Sequence, residues 1–133
     1  MDAEFERSAI EFTRMWCELF VGDNPDIRRA MQYFTESATI LIPHAPYRLS
    51  PGADEEEIHF SHLVDGRGHV HFWQVLEPHV AVVAEGVAVV CYYARYNAGR
   101  KGESVIKCAK ESLVLVRADD DWRIVHMHHS GAQ

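Results

Sequence analysis

Positive charge is scarce in this chain. Its 13 Lys and Arg are outnumbered by 20 Asp and Glu, for a formal net charge of −7. No basic stripe runs through it, so nucleic acid is excluded as an expected partner. The same balance is repelled by anionic membranes. Long apolar runs are also missing, and no segment approaches the roughly 20 residues that a spanning helix needs. The opening Met-Asp-Ala-Glu-Phe-Glu lacks the basic-then-apolar order of a secretory signal. A cytoplasmic location is the resulting expectation. The cysteines are Cys17, Cys91 and Cys108, an odd number without C-x-x-C spacing. Cys17 and Cys91 lie in apolar settings and read as small buried hydrophobes of a reducing compartment, not as a disulfide or a catalytic thiol. Repeats, linkers and low-complexity stretches are lacking, and 133 residues suit one domain covering 1–133.

What is present suffices for a core, since 47% of the residues are hydrophobic. From Ala3 to Val21 the apolar residues Phe5, Ile10, Phe12, Trp16, Leu19 and Phe20 follow a mostly helical spacing. Gly22 ends that helix. Asp23-Asn24-Pro25 offers a cap and a first-turn proline for a second helix striped by Ile27, Met31 and Phe34. Ala38 to Pro43 suits a strand, and Asp54 to Val64 reads as a third helix with Glu55, Glu56 and Glu57 near its positive end.

The remainder is strand-like: His69–Leu76, Val80–Ala84, Val87–Tyr96, Val105–Ala118 and Trp122–His129. Glu85-Gly86 and the Asp119–Asp121 run supply turns. Helices first and antiparallel strands afterwards predict an α+β fold. Val87-Ala-Val-Val-Cys91 and Leu113-Val-Leu-Val116 are apolar on both faces. A sheet with one wet face would alternate. One face is therefore expected on the helices and the other against a second copy of the chain, as at least a homodimer.

Three histidines crowd the last strand, Trp122-Arg-Ile-Val-His-Met-His-His-Ser-Gly131. Side-chain alternation puts Val125, Met127 and His129 on one face and His126 and His128 on the other. His69-Val-His71 and His126-Met-His128 are H-x-H pairs, the spacing by which a strand presents two imidazoles to a metal. With nine histidines such pairs arise by chance, and no metal site and no cofactor is expected.

Leu76-Glu-Pro-His-Val80, Lys110-Glu-Ser-Leu-Val114 and the terminal strand resemble the nuclear transport factor 2-like superfamily, which includes SnoaL-like proteins. They are most similar to the association (hub) domain of calcium/calmodulin-dependent protein kinase type II. The resemblance implies a cone: a bent sheet wrapped round the N-terminal helix, with a pocket at the wide end and the convex face pairing with another subunit. Hub domains line that pocket with a histidine and several arginines. The histidine corresponds to His59, while the arginine positions fall on Ala94, Leu113 and His129. A guanidinium-lined anion site is thus not carried over.

Under that register His129, Met127, Glu111, Leu113, Tyr92, Ala94 and Tyr96 face the pocket, and Trp16 can join them from the helix. Apolar walls with a few convergent polar groups describe a site for a small apolar or weakly polar molecule. His129, Glu111 and His59 are the candidate catalytic groups, suited to proton abstraction beside a carbonyl or to dehydration without a cofactor. The alternative is a non-catalytic oligomerisation module in which the sheet face does the work. No carboxylate stands at the end of the first strand, where Pro43-His44-Ala45 occurs, so isomerisation of the usual ketosteroid type is disfavoured.

Overall fold

The computed structural model describes residues 3–41, 69–99 and 105–131. The expected third helix, His44 and His59 lie outside them. Helix α1 (Ala3–Glu18) buries Ala9, Phe12, Thr13, Trp16 and Cys17, an i, i+3, i+4 stripe that forms one face of the helix. Thr13 is tolerated in that stripe because its hydroxyl donates to Ala9 O at 2.8 Å. The helix stops at Glu18, short of Val21. The backbone N–H groups of Leu19, Phe20 and Val21 each donate three residues back and tighten the exit. Gly22 then takes φ 100 and donates to Val70 O at 2.8 Å.

Helix α2 (Ile27–Gln32) starts two residues later than expected. Asp26 caps it by accepting from Arg29 N at 3.2 Å, so Pro25 precedes the cap instead of following one. The two helices are tied by Trp16 Nε1, which donates to Ala30 O at 3.1 Å.

Five strands follow: β1 (Phe34–Leu41), β2 (His69–Ala84), β3 (Val87–Gly99), β4 (Val105–Ala118) and β5 (Asp121–Gly131). They form one curved sheet in the order β1-β5-β4-β3-β2, open at β1 and β2 among the described residues. The architecture is the α+β arrangement that the sequence predicts. One detail differs, because β1 pairs with β5 in parallel and the sheet is mixed. Strands β2 to β5 form an antiparallel meander, and β1 fills the open edge of its last strand.

Two bulges explain where simple alternation fails. Strand β2 is continuous where two strands were expected, because Glu77 and Pro78 oppose a single residue between the Leu76–Tyr93 and His79–Cys91 pairs. Glu77 adopts φ 51 there, and Pro78 loses nothing by lacking an N–H at a bulge on an edge strand. In β5, Leu115 pairs with Ile124 and Val114 with His126, which leaves Val125 as the extra residue. Trp122, Ile124, Met127 and His129 are consequently all buried, and Val125 does not share their face as expected.

Cys91 also departs from expectation: it is exposed on the outer sheet face, and only Cys17 is buried. Both tight turns fall where expected. Asp119 and Asp120 take φ 52 and 63 between β4 and β5, and Gly86 takes φ 72 between β2 and β3. A Cβ on Gly86 would meet nothing nearer than Arg117 O at 3.5 Å, so the dihedral and not the space demands glycine. Gly86→Ala is expected to cost about 1–2 kcal/mol in urea unfolding, with an unchanged denaturant slope.

Candidate functional site

The sheet register builds the inner site row by row. Tyr92 pairs with Glu111, and Glu111 with His129, in one line across β3, β4 and β5. On one side of this row lies the apolar line Val90–Leu113–Met127. On the other lie Ala94, Ala109 and Gly131, three small residues in register. Past them Trp73 and Tyr96 stack at 4.3 Å and 10°. Both rings lie near His129, at 6.4 and 6.3 Å between centroids.

The polar centre is a close pair. His129 Nδ1 donates to Glu111 Oε2 at 2.6 Å, and the two side chains are 4% and 2% exposed. A carboxylate on Nδ1 fixes the imidazole tautomer and leaves Nε2 for a ligand. Glu111 Oε1 is buried and has no hydrogen-bond partner among the described residues. Tyr92 shares a 3.5 Å hydrogen bond with Cys17 Sγ. Burial, followed by the nearby Cys17 and Glu111, pushes the Tyr92 phenol well above its usual range. Burial, followed by Glu111, does the same to the Cys17 thiol. Both therefore stay protonated and act as neutral neighbours of the pair.

A raised pKa in the folded state means stability that is complete below the unfolded pKa and lost progressively as pH rises from there through the folded pKa. The unfolded values are 9.0 for Cys17 and 10.0 for Tyr92. Urea stability should hold steady up to about pH 8.5 and fall progressively above it. In the Cys17→Ala, Tyr92→Phe double variant the alkaline decline should be visibly shallower. An unaltered slope would sink this account.

The structure brings together most of the residues singled out in the sequence. Tyr92, Tyr96, Ala94, Glu111, Leu113, Met127 and His129 are all buried on the inner sheet face, and Trp16 is buried on α1. His59 lies outside the described residues. Of the H-x-H pairs, His126 shares a 2.6 Å hydrogen bond with Thr39 Oγ1, while His128 is exposed. No group of three His, Cys, Asp or Glu is arranged to hold a metal among the described residues. None of the described helices is long and apolar enough to cross a membrane.

Sequence reasoning missed Trp73 as part of the aromatic wall and Cys17 as a polar contact of Tyr92. Trp73 was legible only with the register, which pairs it with Tyr96.

The outer face is different in kind. An open groove of about 490 Å³ there involves Glu77, His79, Tyr93, Lys110 and His128. Tyr93 is 50% and Val83 64% exposed in the single chain.

A curved five-stranded sheet against N-terminal helices is a nuclear transport factor 2-like fold. Within it, the chain belongs to the calcium/calmodulin dependent protein kinase II association domain family, whose sequence profile matches residues 6–133. Solved structures agree on the fold. The association domain of C. elegans CaMKII superposes with a TM-score of 0.72 at 22% identity, covering 94% of each chain. An NTF2-like protein from Cytophaga hutchinsonii gives 0.68 at 10% identity, covering 99% of this chain and 100% of that one. Another, from Rhodospirillum rubrum, gives 0.67 at 15% identity over 100% of both. At these identities the likeness shows the fold alone.

Proposed function

We propose that this chain is a small-molecule-binding domain of the SnoaL-like kind, in which Glu111 positions His129 to exchange a proton with the ligand. The buried 2.6 Å contact between Nδ1 and Oε2 carries this reading. A carboxylate holding one imidazole nitrogen makes the other a poised base. Met127, Leu113, Ala94, Tyr92, Tyr96 and Trp16 supply the walls, and His59 is the third polar group assigned to the site. The chemistry is cofactor-free. Nε2 takes a proton from a carbon beside a carbonyl, the C–H pair moves into the enolate, and the proton returns to carbon or is lost with a leaving hydroxide.

Deuterium uptake tests it. 2-Tetralone incubated with the protein in heavy water should exchange its α-protons faster than in buffer, and His129→Gln should lose that acceleration by about 10²-fold or more. Uptake at the buffer rate with the native protein would exclude proton transfer for this ketone class.

The outer face favours a second reading, assembly. Strands β3 and β4 carry Val87, Val89, Val114 and Val116 on that face, with Tyr93 beside them. Membership of an association-domain family supports burial of this surface against another copy. Sedimentation should show at least a dimer at micromolar concentration, and Tyr93→Lys should shift the distribution towards monomer. A native protein that sediments as a monomer would end this reading.

A further inference from the structure

The inner site holds buried polar atoms that find no hydrogen-bond partner among the described residues. Glu111 Oε1 has no partner among the described residues, and neither has Trp73 Nε1 in the aromatic wall. A buried group without a partner costs about 1–3 kcal/mol, and a charged one more. His129 occupies Oε2 alone. The Tyr92 hydroxyl is a hydrogen-bonding neighbour of this carboxylate as well as a charge-sensing one, but its geometry leaves Oε1 without a well-formed hydrogen bond among the described residues. Thr13, Glu111 and His129 are the buried polar residues described, so no lysine or arginine among the described residues is buried beside the carboxylate.

The shape next to this acceptor is equally specific. Ala94, Ala109 and Gly131, three small residues in register, lie between the Tyr92–Glu111–His129 row and the stacked Trp73 and Tyr96. Trp73 also lines an open cleft of about 350 Å³ between α1 and β2, with Arg14 and Glu18 at its helical side. Flat rings beside small side chains fit a planar ligand. An unpaired carboxylate oxygen selects for a hydrogen-bond donor and against negative charge.

We propose that the inner site takes a flat, largely apolar ligand that carries an N–H or O–H donor for Glu111 Oε1 and no negative charge. The proposal rests on the small-molecule reading above and adds the ligand class to it. Discrimination comes from the pairing, because an analogue that cannot donate leaves Oε1 buried and unmatched.

Indole and benzofuran are matched in size and shape, and only indole has a ring donor. Their affinities for the full chain are measured by ligand-observed NMR titration, with benzoate as the anionic probe. Indole should bind about tenfold more tightly than benzofuran, and benzoate should bind least. Glu111→Gln should bring the first two within about threefold of each other, because the charged acceptor is gone.

Equal binding of indole and benzofuran by the native protein would overturn the donor requirement and leave the pocket standing. Tightest binding by benzoate would overturn the charge preference. Absence of binding by all three would remove the pocket reading and this inference with it. A preference absent from the native protein but present in Tyr92→Phe would show that the tyrosine itself fills Oε1, which also overturns the proposal.

Discussion

Replacing His129 with leucine is expected to destabilise the domain by about 3–5 kcal/mol at pH 7. The side chain is 4% exposed, and its partner Glu111 is 2% exposed. Leucine fills the volume but leaves a carboxylate in an apolar surround, with one oxygen newly stranded and the other unmatched among the described residues.

A double variant separates the pair from the packing. With His129→Leu and Glu111→Leu together both polar groups go, and most of the lost stability should return, since apolar replacements of a buried pair are often neutral. Urea unfolding of the four proteins in this cycle gives the coupling directly. Additive losses would mean that the 2.6 Å contact contributes nothing in solution.

Trp16→Ala is expected to produce a loss of similar size, about 3–5 kcal/mol. Trp16 is 2% exposed and meets Phe20 at 5.0 Å and Phe34 at 5.9 Å, both edge-on. Its indole N–H also satisfies Ala30 O. Alanine removes the ring that joins α1, α2 and the start of β1, and opens a cavity between them. Domains of this size are stable by only about 5–15 kcal/mol, so the variant should melt far below the native protein. Trp16→Phe separates the two contributions, restoring much of the packing and none of the hydrogen bond. A Trp16→Ala protein melting within a few degrees of native would show that the helices close over the gap.

Much of the site was legible because strand parity is a strong constraint. Tyr92, Ala94 and Tyr96 alternate along β3, and Glu111 and Leu113 along β4, without interruption. Met127 and His129 kept their assignment because the β5 bulge lies upstream of them. The same bulge hid Trp122 and Ile124, whose inward positions contradict strict alternation. Trp73 stayed hidden for a related reason, since β2 shifts register after Val70 and again after Leu76. Parallel pairing of β1 with β5 joins residues about 90 apart in the sequence, and no local pattern encodes it. Asp26 outcompeted the expected cap because capping depends on which side-chain oxygen reaches the third N–H, here that of Arg29, and Asn24 and Asp23 lie two and three residues too early.

The bulge at Glu77 and Pro78 bears on how copies of this chain can avoid each other. Strand β2 is 16 residues long and borders the sheet, an invitation to runaway edge-to-edge polymerisation. Pro78 deletes a donor from that border, the bulge breaks its straightness, and Arg14 occupies Val75 O at 3.0 Å. A border blunted in this way resists templating a further strand, so growth into open fibres is discouraged while closed, face-to-face assemblies remain accessible.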